Sequence, residues 1–129
     1  MENKSIFKDS MGRYFTKSLF YETAEKRRYA AIYTLKDYDI ERNGKTYLSL
    51  KKLYLAEADP TEYLFANKYF HSFEQWERIV NNKMFTRIID TWRRELELKL
   101  RAEGLLTMRE QAHLGKTDAA RFLVNGGLS

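Results

Sequence analysis

Between residues 84 and 104 the chain reads MFTRIIDTWRRELELKLRAEG, with large apolar residues at Phe85, Ile89, Trp92, Leu96 and Leu100 and charges in most of the gaps. Steps of three and four residues put these five on one face of a helix. The period stays close to 3.6, and Lys99 and Glu103 interrupt any strict seven-residue seam, which argues against a long two-stranded coiled coil. Such a stripe fits one face of a helical layer, built either within the chain or between copies of it. Gly104 ends or weakens this helix, and LLTMREQAHL continues a helical pattern as far as Gly115. Thr117 then caps DAARFLV, and Asn125-Gly126-Gly127 stops it.

Upstream, the pattern changes. The first 20 or so residues are irregular, and FTKSLFYET is open between a short helix and an extended arm. Tyr29 to Leu35 carries Tyr, Ile and Thr, residues that suit a pleated, half-buried surface. YDIERNGKTYL predicts two short strands joined at Asn43-Gly44, because both central residues of a type I′ turn need positive φ. From Ser49 the pattern is helical. Ser49 caps LKKLYLAEA. Asp59-Pro60-Thr61-Glu62 predicts a second helix in which Asp caps, Pro occupies the first turn and Glu takes the capping-box position. Ser72 starts FEQWERIV by the same logic, and Asn81-Asn82 ends it. The expected fold is mainly α: a helical domain with one short β-hairpin (about 29–48), a helix-turn-helix-like pair (49–70) and a long helix (about 84–103). Without a linker, a repeat or a low-complexity tract, residues 1–129 read as a single domain, with 1–20 as a candidate N-terminal arm.

Composition adds limits. The chain has 129 residues, no cysteine and 15% aromatic residues, enough for a core without disulfides or thiolate-bound metal. The N-terminus lacks a signal-peptide apolar core and no run reaches membrane-spanning length, so a soluble, cytoplasmic protein with no membrane partner is expected. The net charge is +5, with clusters at Lys26-Arg27-Arg28, Lys51-Lys52 and Arg93-Arg94. A basic balance favours a polyanionic partner.

Catalytic chemistry has little support in the sequence. His71 and His113 lack a second ligand at metal spacing. Glu95, Glu97 and Glu103 alternate with cations, as in surface ion pairing. LGKTD lacks the glycine-rich turn of a phosphate loop, since Glu110 stands where the first glycine belongs. Asp37, Asp39 and Glu41 are the one carboxylate group that a small metal-dependent nuclease could use. No enzyme activity and no cofactor are expected.

The helical pair offers a different chemistry. Two short helices around Ala58-Asp59-Pro60 have the layout of a DNA-binding helix-turn-helix. Its second helix would present Thr61, Glu62, Asn67 and Lys68, with His71 at its end. Asn67 suits adenine, while Lys51, Lys52 and Lys68, with Arg42 and Lys45 at the hairpin tip, suit phosphates. The alternative is a protein-interaction module without DNA binding, anchored by Tyr63, Tyr69 and Trp76.

TLKDYD, YLSLKKLYLAEADPTEYLFANKYF, SFEQWERI, WRRELELKLRAEGL and the closing KTDAARFLVNGG together resemble small terminase subunits of tailed bacteriophages, over residues 17 to 127. The resemblance implies a non-catalytic protein that recognises double-stranded viral DNA in the host cytoplasm. It further implies a homo-oligomer, a ring in many members, that delivers DNA to a large terminase subunit and regulates it. Many members carry their helix-turn-helix near the N-terminus, whereas here the candidate lies at 49–70. The long helix, through Phe85, Ile89, Trp92, Leu96 and Leu100, is the candidate oligomerisation segment.

Overall fold

The computed structural model describes the backbone of residues 6–124 and the side chains of residues 6–115. Mainly helical, as expected, it carries three short strands: β1 (Tyr33–Thr34), β2 (Ile40–Arg42) and β3 (Lys45–Ser49). Four helices follow: α1 (Leu50–Glu57), α2 (Tyr63–Tyr69), α3 (Phe73–Val80) and α4 (Lys83–Val124). Two 3-10 turns, Lys17–Leu19 and Glu25–Ala30, precede the sheet. The chain divides after Leu96 into two units. Among the described residues no helix is long and apolar enough to cross a membrane.

The sheet order is β1-β3-β2, with β2 antiparallel and β1 parallel to β3. The hairpin is therefore narrower than expected: it spans residues 40–49, and the segment at 33–34 joins β3 from the other side. Asn43 (φ 55°) and Gly44 (φ 78°) both occupy the left-handed region that a two-residue hairpin turn needs.

Local hydrogen bonds set most helix starts. Ser49 Oγ accepts from Lys52 N (3.2 Å) and Ser72 Oγ from Gln75 N (3.3 Å), so both residues are N-caps as expected. The start of α2 differs. Asp59 does cap it, accepting from Leu64 N (2.8 Å) and Phe65 N (3.3 Å), but the helix begins only at Tyr63. Pro60 and Thr61 stay outside, and Glu62 sits at φ 66° with its side chain turned into the core.

Aromatic rings build the centre of the first unit. Phe65 and Trp76 lie 4.9 Å apart, Phe70 and Trp76 5.3 Å, and Tyr54 and Trp92 6.1 Å. Phe85 reaches Phe20 at 4.8 Å. The stripe of the long helix thus serves the chain's own core: Phe85, Ile89, Trp92 and Leu96 are buried there, and only Leu100 is half-exposed. Burying Trp92 alone is worth roughly 2–3 kcal/mol. Within residues 7–20, Phe15 N donates to Phe7 O, and the Gln75 side-chain amide donates to both Phe7 O and Phe15 O.

The second unit, from Glu97, is helical backbone through Val124. Neither Gly104 nor Gly115 stops it, and no break precedes Thr117. An exposed glycine weakens a helix by about 1 kcal/mol, which a helix of this length absorbs. The expected stop at Asn125-Gly126-Gly127 lies outside the described residues.

Candidate nucleic-acid interface at the hairpin tip

The hairpin register places Ile40 opposite Tyr47 and Arg42 opposite Lys45. Alternation along the strands puts all four on one face, with Glu41 and Thr46 on the other. Ile40 and Tyr47 are buried against Ala24 and Ala31, with Tyr21 packed alongside. One step nearer the turn, the same face becomes cationic. Two like charges directly opposite each other cost hairpin stability.

Arg42 and Lys45 line a pocket of about 420 Å³ together with Tyr21, Arg28, Tyr29, Asn43 and Tyr47. Among the described residues its lining contains three cations and no carboxylate. Arg28 lies 4.6 Å and Arg42 5.9 Å from the centre of the Tyr21 ring, and Lys45 Nζ lies 5.1 Å from that of Tyr47. Backbone carbonyls hold the cations in place. Lys45 Nζ donates to Tyr29 O (2.7 Å), Arg28 Nε to Tyr21 O (3.0 Å) and Arg42 Nη1 to Glu41 O (2.8 Å). Tyr47 Oη donates to Arg28 O (3.0 Å), fixing the turn that carries Arg28 and Tyr29. Carbonyls orient a cation without neutralising it, so the pocket keeps its positive charge.

The other predicted DNA contacts stand apart from this site, and their charges are balanced. Lys51 Nζ lies between Asp37 (3.3 Å) and Glu95 (3.2 Å), and the hydrogen bond to Glu95 raises its pKa. Lys52 pairs with Asp39 (3.3 Å) and Lys68 with Glu57 (3.1 Å). Asn67 is exposed on α2, a helix of 7 residues. Two parts of the expected reading face of α2 are otherwise engaged. Glu62 is buried, and the Thr61 hydroxyl donates to Asp59 (2.6 Å).

One further expectation needs correction. Trp76 cannot anchor a protein partner, because it is buried in the aromatic core; Tyr63 remains exposed. Asp39 accepts from Ser49 N (2.8 Å), a bond that pulls its pKa down, and Asp37 is spent on Lys51. Among the described residues, no three His, Cys, Asp or Glu side chains gather in a group that could hold a metal ion.

The pocket draws on residues that sequence reasoning did not assign to a site: Tyr21, Arg28, Tyr29 and Tyr47. The Lys26-Arg27-Arg28 cluster was the visible signal. Its link to the hairpin tip depends on a turn folding back across 14 or more residues, which no local pattern encodes. Comparison with protein-family models, with curated proteins and with solved structures gives no match to this chain.

Proposed function

We propose that this chain is a non-catalytic DNA-binding adaptor of the small-terminase kind, which grips phosphates through the hairpin tip. It would act in the host cytoplasm as a homo-oligomer that delivers viral DNA to a large terminase subunit. One observation carries the DNA-binding part: Arg28, Arg42 and Lys45 converge on a pocket whose lining, among the described residues, has no carboxylate. The sequence resemblance supports the packaging role. Arg42 and Lys45 keep their assignment as phosphate contacts and Arg28 joins them. Lys51, Lys52 and Lys68 contribute less, because each already faces a carboxylate.

Fluorescence anisotropy with labelled duplex DNA over a salt series tests this. The expected result is binding that weakens steeply with salt, and an Arg42→Ala/Lys45→Ala double variant whose log–log slope is shallower by about 2. Lys68→Ala should change affinity less than either tip substitution does. Binding with a flat salt dependence, or a double variant that binds like the parent, would sink the proposal. A second reading, a protein-interaction module, draws on the exposed Tyr63 and Leu64 of α2. Absence of any DNA shift, with a protein partner lost on Tyr63→Ala, would favour it.

A further inference from the structure

The tip pocket holds more aromatic surface than phosphates can use. A phosphate needs cations and N–H donors, and Arg28, Arg42 and Lys45 supply them. Tyr21 and Tyr47 have structural duties, packing on the hairpin face beside Ala24 and Ala31. Tyr29 has no such duty: 73% of it is exposed. Its backbone is tied to the hairpin tip and a cation lies over its ring. Its carbonyl accepts from Lys45, and the Arg27 guanidinium lies over its ring at 5.9 Å from the centroid. Arg27 is itself steadied over the Phe15 ring, at 4.5 Å. A flat π-surface thus lies in water beside three cations that no carboxylate of the described residues neutralises.

The two helical states of a nucleic acid use such a surface differently. In a duplex the phosphates lie outside and the base faces are closed within the stack, so a tyrosine ring has nothing to meet. In a single strand, base face and phosphate are both free, and aromatic stacking combines with cationic contacts whatever the sequence. A pocket of about 420 Å³ is also within the range that small organic groups occupy. We propose that the tip pocket binds an unpaired nucleotide, its base stacked on Tyr29 and its phosphates met by Arg28, Arg42 and Lys45. The inference rests on the nucleic-acid-binding reading above and narrows its ligand to single-stranded ends, gaps or melted segments.

Anisotropy with a short oligodeoxyuridylate, an oligouridylate of equal length and a duplex, all at one salt concentration, tests it. At least one single strand is expected to bind about tenfold tighter than the duplex, with the sugar of the tighter strand naming the source. Tyr29→Ala should reduce the ratio of single-strand to duplex affinity by about tenfold, and Tyr29→Phe, which keeps the ring, should restore it. An unchanged melting temperature in both variants separates lost stacking from lost folding. Equal affinity for single strand and duplex would overturn the inference, as would a Tyr29→Ala variant with an unchanged ratio. In either case, duplex binding that still depends on Arg42 and Lys45 would leave the adaptor reading standing. If neither single strand nor duplex binds, that reading falls as well.

Discussion

Four hydrogen bonds converge on the buried Glu62 carboxylate: from Tyr54 Oη (2.7 Å), Trp76 Nε1 (2.9 Å), Arg93 Nε (2.7 Å) and Arg93 Nη2 (2.6 Å). They match the acceptor capacity of an ionised carboxylate, so nothing in it is left unsatisfied. Burial would push the Glu62 pKa up, but Arg93, Trp76 and Tyr54 outweigh it and hold it below the usual value. At Asp59, likewise, the Thr61 hydroxyl and the amides of Phe65 and Leu64 overcome burial. A depressed carboxylate contributes stability above its unfolded pKa of about 4, and that stability drains away as pH falls through the folded value. Burial raises the pKa of both Tyr33 and Tyr54, so those two contribute below pH ~10 and lose their contribution as pH climbs above it. Arg93→Met leaves the buried charge without its cation. Because the Arg93 side chain is 40% exposed and partly screened, the expected cost is about 3 kcal/mol, the lower end of the range for broken buried pairs. Urea unfolding at neutral pH would measure it, and the gap between parent and variant should narrow as pH falls, starting where Glu62 protonates in the variant and closing only below the depressed value it has in the parent. A variant as stable as the parent at neutral pH would show that Arg93 contributes nothing to the network. None of this was legible beforehand. Glu62 reads as a capping-box residue, and its partners lie 8, 14 and 31 residues away, so only the tertiary fold brings them together.

At the scale of elements, legibility follows the reach of the interaction that makes each one. The Asn43-Gly44 turn and the Ser49 and Ser72 caps depend on contacts within a few residues, and their sequence signatures are explicit. The parallel pairing of β1 with β3 joins Tyr33 to Leu48 and Thr34 to Ser49, which needs the whole intervening hairpin in place. Gly104 is open between ending and weakening α4, and Gly115 misleads for a different reason. Glycine marks a helix end when its φ turns positive, and nothing local forces that turn. Here Gly104 and Gly115 keep ordinary helical backbone. A methyl group added at Gly104 would meet no atom within 4 Å. Gly104→Ala should therefore stabilise this stretch by about 1 kcal/mol, through lower entropy of the unfolded chain and better helix propensity. Hydrogen exchange on amides 100–112 would report it as roughly fivefold greater protection. Unchanged or reduced protection would mean that the helix is interrupted at Gly104.

For the whole molecule, the distribution of buried side chains constrains how an adaptor could assemble. Every buried apolar residue among those described lies at or before Leu96. The first unit is thus supplied with its own core, and four of the five residues expected to hold copies together are spent on it. In the second unit Leu105, Leu106, Met108 and Leu114 are exposed on helix. A solitary helix gains little from propensity alone and most of its stability from packing an apolar face. If copies of the chain assemble as proposed, residues after Gly104 offer the arrangement that leaves the core intact. Light scattering after size exclusion, on the full chain and on a chain ending at Gly104, is the decisive comparison. The full chain is expected to be a discrete oligomer and the shortened one a monomer. The monomer should unfold cooperatively, with a melting temperature within about 5 °C of the full chain, since the core is untouched. A shortened chain that stays oligomeric would move the assembly surface onto the first unit. A full chain that is monomeric at every concentration would leave the hairpin tip as a binding site, but would remove the ring-forming half of the adaptor proposal.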